Sequence, residues 1–181
     1  RTQVVIIGAG PSGLLLGQLL HRHGIDHVIL ENRSADYVLG RVRAGVLEQP
    51  TIAALREAGV GDRAEREGLR MNGFDLRWDE ERCHIDFRRI GKHATVYGQT
   101  RVTRDLMDAR AACGGITLYE ASDVQLHDIE SGRPYVTYRH EGRNWRMDCD
   151  FIAGCDGFHG VSRQSIPQDT VRQYALTFPF G

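Results

Sequence analysis

The sequence lacks a long hydrophobic run and an excess of either charge. No apolar stretch approaches the roughly 18 residues that a membrane-spanning helix requires. Lysine and arginine number 23 against 24 aspartate and glutamate, a net charge of −1, whereas a groove for phosphate backbones needs a basic excess. We therefore expect neither a membrane nor a nucleic acid among the partners of this protein.

Cysteine is also scarce and shows no CxxC spacing. The four cysteines are Cys83, Cys113, Cys149 and Cys155. This spacing argues against a zinc site, so no metal ligand is assigned, and it argues against a disulfide framework. It favours a reducing compartment, and we expect the protein to be cytoplasmic.

Glycine, by contrast, is abundant, at 21 of 181 residues, or about 12% against an average of about 7%. A glycine cluster, Gly8–Gly13, follows the buried-type strand Val4–Ile7 and has the pattern GxGxxG. A helix is predicted over Leu14–His23, and a second strand over His27–Leu30 precedes Glu31. Strand, glycine turn, helix, strand and acid together form the dinucleotide-binding fingerprint in its required context.

Each residue of this fingerprint has a physical role. Gly8 permits the tight turn, Gly10 lets the backbone approach a pyrophosphate, and Gly13 lets the helix pack closely on the strand. The helix N-terminus offers free N–H groups to the phosphates, and the Ser12 hydroxyl can add to them. Glu31 can accept hydrogen bonds from ribose hydroxyls. The fingerprint does not distinguish NAD from FAD, and an isolated GxGxxG also arises as a chance glycine cluster.

Two arginines between glycines form a second candidate site. After a predicted connector over Ser34–Leu39, the segment Gly40–Val46 carries Arg41 and Arg43. In an extended segment both side chains point the same way and can clamp a pyrophosphate or a second nucleotide. The alternative is a solvated loop with ordinary surface arginines.

The rest of the chain mixes helices and strands. Helices are predicted over Val46–Gly59, Asp62–Gly68 and Gln99–Cys113, and strands over Phe74–Trp78, Cys83–Phe87, Val96–Gly98, Ile116–Tyr119 and a three-strand meander, Val124–Ile129, Tyr135–His140 and Trp145–Met147. The helix that starts at Gln99 is expected to carry two i,i+4 ion pairs, Arg101 with Asp105 and Arg104 with Asp108. Gln99 can reach a ligand or merely cap the helix.

A second glycine-rich turn follows the predicted strand Asp150–Gly154. It spans Cys155–Arg163 and contains the dipeptide Asp156-Gly157. An acid at the carboxyl end of a parallel strand lies where open α/β sheets contact their ligands. Taken alone, Asp-Gly is only a turn signal.

Four stretches of the sequence resemble the flavoprotein aromatic hydroxylases, the single-component group A monooxygenases. They are Gly8–Leu14, Gly40–Gln49, Cys155–Arg163, and Tyr97–Gln99 together with Val102–Met107. The first and third stretches are shared by the wider family, whereas the second and fourth are specific to one subgroup. The likeness runs along the whole chain.

The resemblance implies one set of FAD contacts and one set of nicotinamide contacts. Besides Gly8, Gly10 and Gly13, the FAD contacts would be Ser12, Glu31, Arg41, Val42, Arg43, Ala44, Gly45, Val46 and Gln99. Arg43 would lie near the flavin pyrophosphate. The turn at Asp156 and Gly157 would serve both cofactors, with His159 and Arg163 near the incoming NAD(P)H.

The resemblance also implies a reaction. FAD, reduced by NADPH or NADH, would serve to insert one atom of O2 into a small phenol, with 4-hydroxybenzoate giving 3,4-dihydroxybenzoate as the expected case. NADPH-preferring relatives carry an arginine directly after the ribose-binding acid; here Asn32 follows Glu31 and Arg33 comes next, so mixed or NADH use is expected. The phenol-activating residues would lie beyond residue 181, so no catalytic residue is assigned.

Together these patterns predict an α/β fold: a Rossmann-like FAD- and NAD(P)-binding parallel sheet with a βαβ start and an antiparallel β-meander. Residues 1–170 would form the FAD-binding domain, with 70–98 contributing to a substrate-side sheet, and 171–181 would begin a substrate domain. The chain starts at Arg1 and stops in an apolar run, so we expect a piece of a longer protein that is a homodimer when full length.

Other functions compete with this interpretation. An NAD-linked dehydrogenase explains the fingerprint but neither the meander nor the second Asp-Gly turn. A flavin disulfide reductase needs a CxxxxC soon after the second strand, and no cysteine precedes Cys83. A nucleotide-binding fragment without turnover and a hydroxylase of another phenol both remain compatible with the residues.

Overall fold

The computed structural model describes residues 1–172. Its strands, in chain order, are β1 (Val4–Ile7), β2 (His27–Leu30), β3 (Val46–Glu48), β4 (Leu69–Met71), β5 (Gly73–Trp78), β6 (Glu81–Asp86), β7 (Ala94–Val96), β8 (Thr117–Leu118), β9 (Ser122–His127), β10 (Tyr135–His140), β11 (Arg143–Asp148) and β12 (Phe151–Gly154). Its α-helices are α1 (Pro11–Arg22), α2 (Ala35–Gly40), α3 (Gln49–Glu57), α4 (Asp62–Glu67), α5 (Gln99–Ala112) and α6 (Val161–Gln164), with a short 3-10 helix at Phe87–Ile90.

A parallel sheet in the order β12-β1-β2-β8 lies at the centre of the fold. Its strand β1 is an uninterrupted apolar run that is buried along its whole length. Because side chains alternate along a strand, Val4 and Ile6 enter one hydrophobic cluster while Val5 and Ile7 enter another. Full burial of each such side chain stabilises the fold by about 1.5–3 kcal/mol. This one strand therefore contributes to both cores.

Helices α1 and α5 pack together with one of these clusters and begin at the same edge of the sheet. The helix α1 ends at Arg22, shortly before β2 starts, and α5 ends at Ala112, shortly before β8 starts. Since β2 and β8 are parallel, both helices run from the carboxyl edge of the strands to the amino edge. Both helix N-termini therefore lie at the edge where open α/β sheets bind ligands.

The antiparallel meander β9-β10-β11 packs with the other cluster. There Val136 and Tyr138 of β10 are buried together with Val5 and Ile7 of β1. The meander thereby shields the second face of the parallel sheet. Its position leaves the carboxyl edge of β1 and β2 to the loops.

Two smaller antiparallel units complete the described fold, the sheet β3-β7-β4 and the hairpin β5-β6. Along β5 the apolar residues Phe74, Leu76 and Trp78 alternate with the charged residues Asp75 and Arg77. The three apolar side chains remain between 43% and 49% exposed. The hairpin is thus an amphipathic ribbon with an apolar face open to solvent.

The predicted α/β class, parallel sheet, βαβ start and meander are confirmed, and two local predictions are wrong. The connector over Ser34–Leu39 is largely helix α2, because the Ser34 hydroxyl accepts a 3.2 Å hydrogen bond from the Tyr37 N–H and caps it. The helix predicted from Val46 starts only at Gln49, with Pro50 in its first turn, because Val46–Glu48 pairs with β7 as strand β3.

The ion pairs predicted within α5 are also wrong. Asp105 accepts hydrogen bonds from the Tyr97 hydroxyl and from Arg63, and Arg101 pairs with Glu67 of α4. An i,i+4 pair contributes only about 0.2–0.5 kcal/mol, so partners supplied by tertiary packing replace the pair of Arg101 with Asp105. Among the residues that the structure describes, Arg104 and Asp108 form no ion pair. Of the domain prediction, residues 173–181 lie outside the described residues. Within 1–172, no helix is long and apolar enough to cross a membrane.

Candidate FAD site

The two glycine-rich turns lie side by side at the carboxyl edge of the parallel sheet. Strands β1 and β12 are neighbours, with Ile7 opposite Gly154, and the Cys155 N–H donates a 2.7 Å hydrogen bond to the Ile7 carbonyl. Gly8 has a φ of +102°, and a Cβ built on it would lie 2.6 Å from the Cys155 carbonyl oxygen. Only glycine fits this approach. The first and second fingerprints therefore form one continuous surface.

Close packing also fixes the start of α1. A Cβ on Gly13 would overlap the Gly8 carbonyl oxygen and would lie 3.2 Å from the Cys155 Cβ. Burial raises the pKa of the Cys155 thiol above its ordinary value, so the side chain stays a neutral packing group at neutral pH. The helix N-terminus is thereby held against both turns.

Gly10 is the open position of the turn. Apart from its chain neighbours, no atom of the described residues lies within 4 Å of a Cβ built there. Gly10 is the N-cap of α1, and no described side chain caps this helix, so N–H groups of the first turn have no capping partner. Ser12 is exposed beside them. These features fit the diphosphate of FAD, because an anion can approach an uncovered helix N-terminus closely.

The Glu31 carboxylate is held at the same turn by backbone groups. Its Oε2 accepts a 2.8 Å hydrogen bond from the Ala9 N–H, and its Oε1 accepts a 2.9 Å bond from the Arg33 N–H. The residue is only 9% exposed. Each carboxylate oxygen has a further acceptor site, so Glu31 can also accept from hydroxyl groups of a ribose next to Gly10.

The two residues after Glu31 lead into α2. Asn32 and Arg33 are both exposed, and the Arg33 guanidinium lies over the Tyr37 ring, 5.2 Å from its centroid. Such a contact contributes about 0.5–1 kcal/mol at an exposed site. Arg33 is thus held beside the acid by its backbone and beside α2 by its side chain.

The arginine segment, residues 41–45, contacts the N-terminus of α5. Arg41, Val42 and Arg43 are exposed, with Val42 at 84%. At the end of the segment a Cβ on Gly45 would lie 2.5 Å from the Cα of Gly98, so the two backbones touch. Val46 then begins β3, and Gln99 begins α5, whose N-cap is Gly98.

The second turn is organised by Asp156. Its Oδ2 accepts a 3.0 Å hydrogen bond from the Ser162 N–H, and a Cβ on Gly160 would overlap its carboxyl group. His159 is exposed, and the Arg163 guanidinium lies 4.2 Å from the ring centroid of Phe158. Asp156, Gly157, Phe158, Ser162 and Arg163 line a cleft of about 750 Å³ that also reaches the exposed edge residue Phe151.

The predicted site residues fall into two groups. Members of one group contact each other directly, whereas the two groups are connected only through the hydrophobic core. The three fingerprint glycines, Glu31, Asp156 and Gly157 form one surface, while the arginine segment contacts Gly98 and the start of α5. The two groups meet in the hydrophobic cluster that contains Ala9, Leu14 and Tyr97. Both lie at the carboxyl edge, because α1 and α5 begin there.

Sequence reasoning assigned no site role to three residues that hold this edge together: Ala9, Tyr97 and Asp105. Ala9 supplies the N–H that fixes Glu31, and a backbone donor leaves no side-chain signal. Tyr97 is buried and donates to Asp105 at 2.6 Å. Burial and this hydrogen bond raise the pKa of Tyr97, so its hydroxyl stays protonated. A tyrosine directly before a helix-capping glycine, with an acid two turns later, is the signal that points to this pair.

Known proteins similar to this chain include aromatic hydroxylases. The p-hydroxybenzoate hydroxylase of Acinetobacter baylyi is 49% identical over 183 residues, which cover 100% of this chain and 45% of the relative. A 3-(3-hydroxy-phenyl)propionate/3-hydroxycinnamic acid hydroxylase of Burkholderia vietnamiensis is 27% identical, covering 92% of this chain and 31% of the relative. The chain therefore spans less than half the length of either relative.

Solved structures share the fold. The p-nitrophenol 4-monooxygenase of Pseudomonas putida matches with a TM-score of 0.74 at 20% identity, covering 90% of this chain and 42% of that chain. An aklavinone-11 hydroxylase, solved with FAD and aklavinone, matches with a TM-score of 0.71 at 20% identity, covering 91% and 34%. Finally, the FAD binding domain family matches residues 1–180, so this chain belongs to that family, which confirms the predicted cofactor FAD.

Proposed function

We propose that this chain is the FAD-binding part of a longer aromatic monooxygenase that converts 4-hydroxybenzoate to 3,4-dihydroxybenzoate. The reaction would consume one O2, one NAD(P)H and one proton, and would release one water and one NAD(P)+. The observation that carries the FAD role is the uncovered turn at Gly10 beside the fixed Glu31 carboxylate. The substrate is proposed from the 49% identity to a relative named p-hydroxybenzoate hydroxylase.

In this proposal the glycine turn binds the adenosine diphosphate part of FAD. The first-turn N–H groups of α1 and the Ser12 hydroxyl donate to the diphosphate, and the helix dipole adds favourable charge. Glu31 accepts from the ribose hydroxyls while the Ala9 N–H keeps its carboxylate oriented. Since hydrogen bonds within the fold hold the Glu31 carboxylate, little ordering of this group is needed on binding.

The arginine segment supplies the positive charge. Arg41 and Arg43 are exposed and have guanidinium groups that match phosphate oxygens in two-point hydrogen bonds. Val42, Ala44, Gly45 and Val46 would contact FAD mainly through the backbone, and Gln99 would contribute its amide at the start of α5. The contact between Gly45 and Gly98 brings the end of the segment to the start of α5, which supports a shared role of the segment and Gln99.

FAD would supply the redox chemistry, and the second turn would receive the nicotinamide coenzyme. Asp156 keeps the turn in shape through the Ser162 N–H, with Gly157 at a φ of +82°. Arg163 is exposed in the lining of the cleft and His159 is exposed in the same turn, so both can contact a phosphate or an amide. Their exposure supports a role in binding an incoming molecule rather than in packing.

The expected choice of coenzyme rests on a comparison with the resembled family, whose NADPH-preferring members carry an arginine directly after the acid that corresponds to Glu31. Asn32 carries no charge, and the Arg33 side chain lies over Tyr37. Neither feature provides an arginine directly next to the ribose-binding acid, so we expect NADH to be used alone or together with NADPH. The test is kcat/KM for both coenzymes on the full-length protein at fixed 4-hydroxybenzoate. A preference for NADPH above about 100-fold, or about 2.7 kcal/mol, would contradict the expectation.

The hairpin β5-β6 suggests where the rest of the protein attaches. Its exposed apolar face, formed by Phe74, Leu76 and Trp78, is compatible with residues 70–98 joining a substrate-side sheet. In this proposal residues 1–170 are the FAD-binding domain, 171–181 begin the substrate domain, and the full-length protein is a homodimer. Light scattering of the full-length protein measures the last point.

The central experiment uses the full-length protein in two preparations. One is purified without added flavin, and the other is reconstituted with FAD. We expect yellow protein, coenzyme oxidation stimulated by 4-hydroxybenzoate, and one equivalent of 3,4-dihydroxybenzoate per O2 consumed. If 3-(3-hydroxyphenyl)propionate stimulates coenzyme oxidation and is hydroxylated while 4-hydroxybenzoate is not, another phenol is the substrate. A colourless protein that binds NAD but not FAD would support a dehydrogenase and overturn the proposal.

A second candidate function concerns the 181-residue chain by itself. Because it spans 45% of its 49%-identical relative, we propose that alone it binds the nucleotide without turnover. Equilibrium dialysis with FAD and a coenzyme-oxidation assay on this chain test the point together. Product formation by the isolated chain would contradict it.

A further inference from the structure

Tyr97 joins the arginine segment to α5 through two different groups. It lies between β7 and α5, is only 2% exposed, and donates its phenolic proton to Asp105 Oδ2 at 2.6 Å. Its N–H donates a 2.7 Å hydrogen bond to the carbonyl of Gly45. One residue therefore fixes the end of the arginine segment with its backbone and the second turn of α5 with its side chain.

The contact between the two backbones leaves no room for a side chain at Gly45. A Cβ there would lie 2.5 Å from the Gly98 Cα and 2.7 Å from the Tyr97 carbonyl oxygen. Both neighbours are backbone atoms, which cannot rotate away as a flexible side chain can. Because the Tyr97 N–H holds the Gly45 carbonyl at 2.7 Å, a shift of the Tyr97 backbone would also shift Gly45, and with it the two exposed arginines a few residues earlier.

Asp105 is itself held by charge. Its Oδ1 accepts a 2.9 Å hydrogen bond from Arg63 of α4, and Arg63 also contacts Glu67, which pairs with Arg101 at 2.9 Å. The Asp105 side chain is 14% exposed. An acid that is held in this way is a fixed acceptor, so the position of the Tyr97 phenol is defined by α4 and α5 together.

At this buried position phenylalanine would fill the same space without burying a polar group, so the tyrosine hydroxyl needs an explanation. The cluster around Tyr97 contains Ala9, Leu14, Val102 and Leu106, and a buried hydroxyl destabilises such a core unless it is hydrogen-bonded. The bond to Asp105 removes that penalty and adds direction. The hydrogen bond of the hydroxyl thus fixes the position of the Tyr97 ring more precisely than apolar packing alone would.

We infer that Tyr97 is a positioning residue for FAD. The Tyr97–Asp105 hydrogen bond holds the Gly45 end of the arginine segment and the Gln99 end of α5 as one unit, so that Arg43 and Gln99 face the same cofactor. This inference rests on the proposed FAD site. It differs from a simple packing role, because packing predicts an effect on stability that is independent of Arg43.

The test is a double-mutant cycle on the FAD affinity of the full-length apoprotein, measured by quenching of flavin fluorescence. Tyr97→Phe removes one buried hydrogen bond and should weaken FAD binding about fivefold, while Arg43→Ala should weaken it about tenfold. The double variant should lose about tenfold rather than the product of about fiftyfold, because a misplaced Arg43 no longer contributes. Asp105→Asn keeps the volume of the acid and should show the same coupling.

Tyr138→Phe is the matched control, because Tyr138 is a buried tyrosine of the meander core. It should leave the FAD affinity unchanged and combine additively with Arg43→Ala. Additive losses within about twofold for both Tyr97→Phe and Asp105→Asn would overturn the inference while leaving the FAD site intact. Absence of FAD binding by the unaltered protein would overturn the proposed function itself.

Discussion

The two parts of the FAD site, the glycine turn with Glu31 and the arginine segment, are built in opposite ways. The glycine turn is fixed by buried backbone: Gly8 and Gly13 contact neighbouring main chain, and two N–H groups hold Glu31. The arginine segment presents exposed side chains and touches the fold at its last residue, Gly45. The first part is preorganised by packing, whereas the second depends on the residue beneath it, Tyr97.

In the proposed site the glycine turn provides the shape that fits FAD, and the arginine segment provides the charge. A backbone cradle can offer N–H groups and space, but it carries only the partial charge of a helix N-terminus. Arginines add full charges, which are best kept in water until a ligand arrives, because burying an unpaired charge is costly. Substitutions at the buried positions of the first part should therefore change stability and FAD binding together, whereas those at its open position, Gly10, and in the second part should change binding alone.

The largest effect is expected at Gly13. Alanine is favoured over glycine inside a helix by about 1 kcal/mol, yet a Cβ here would overlap the Gly8 carbonyl oxygen. Overpacking of this kind costs about 2–3 kcal/mol, so Gly13→Ala should destabilise the apoprotein and abolish FAD binding. Urea unfolding of the apoprotein and flavin titration measure the two effects.

Gly10→Ala is the matched control, because its Cβ would meet open space and its φ of −67° suits alanine. It should change the unfolding free energy by less than about 0.5 kcal/mol. Its methyl group would nevertheless occupy the space proposed for the diphosphate, so FAD affinity should fall at least about tenfold. Equal stability losses for the two alanines would contradict the packing argument at Gly13.

Glu31→Gln should have the next largest effect. The amide keeps the shape but offers one acceptor oxygen where the carboxylate offers two, so the Ala9 or the Arg33 N–H loses its partner. An unsatisfied buried donor costs about 1–3 kcal/mol, and the ribose loses its charged acceptor. The denaturant midpoint should fall and the FAD dissociation constant should rise. Glu57→Gln, at an exposed ion pair, should leave both unchanged.

The sequence was sufficient to predict the parts of the fold that local patterns determine. The β1-α1-β2 unit follows from a buried apolar run, a glycine turn and a helical repeat within thirty residues, and each signal is local. The meander follows from alternation and turn residues. The open position of Gly10 also follows, because the fingerprint requires bare backbone there.

Other parts depend on contacts between distant residues and were missed. Val46–Glu48 lies in a strand because β7, almost fifty residues later, pairs with it. Asp105 leaves its predicted helical partner because Tyr97, in the connection between β7 and α5, and Arg63 of α4 both reach it. The helix α2 was hidden for a different reason, since its main signal is the single capping hydroxyl of Ser34. In each case one tertiary or capping contact outweighs a weak local preference.

A binding effect without a stability effect is expected at Arg43. Its side chain is exposed, so Arg43→Ala should leave the thermal midpoint of the apoprotein unchanged while FAD binding weakens about tenfold, the loss of a hydrogen bond to a charged group. The loss should shrink as salt is added, because exposed charges are screened. Arg133→Ala, in the exposed turn before β10, is the control and should leave FAD affinity unchanged.

The smallest effect is expected at the other end of β2, away from the site. His27 accepts a hydrogen bond at Nε2 from buried Arg110, and its Nδ1–H donates to the Ile25 carbonyl at 2.8 Å. Burial lowers the pKa of His27 below its ordinary value of 6.5, and the positive charges of Arg110 and His21 add to the lowering. The hydrogen bond to the Ile25 carbonyl and, more weakly, the charge of Asp26 act in the opposite direction without reversing it.

Because the folded protein resists protonation of His27, the unfolded chain binds this proton first as pH falls below about 6.5, and stability is lost there. The thermal midpoint of the apoprotein should therefore fall by a few degrees more between pH 7.5 and 5.5 in the unaltered protein than in His27→Gln. His23→Gln, at an exposed histidine, should retain the full pH dependence. If His27→Gln retains the full pH dependence as well, His27 is not its source, and the buried His27–Arg110 contact at the amino end of β2 does not make the fold sensitive to acid.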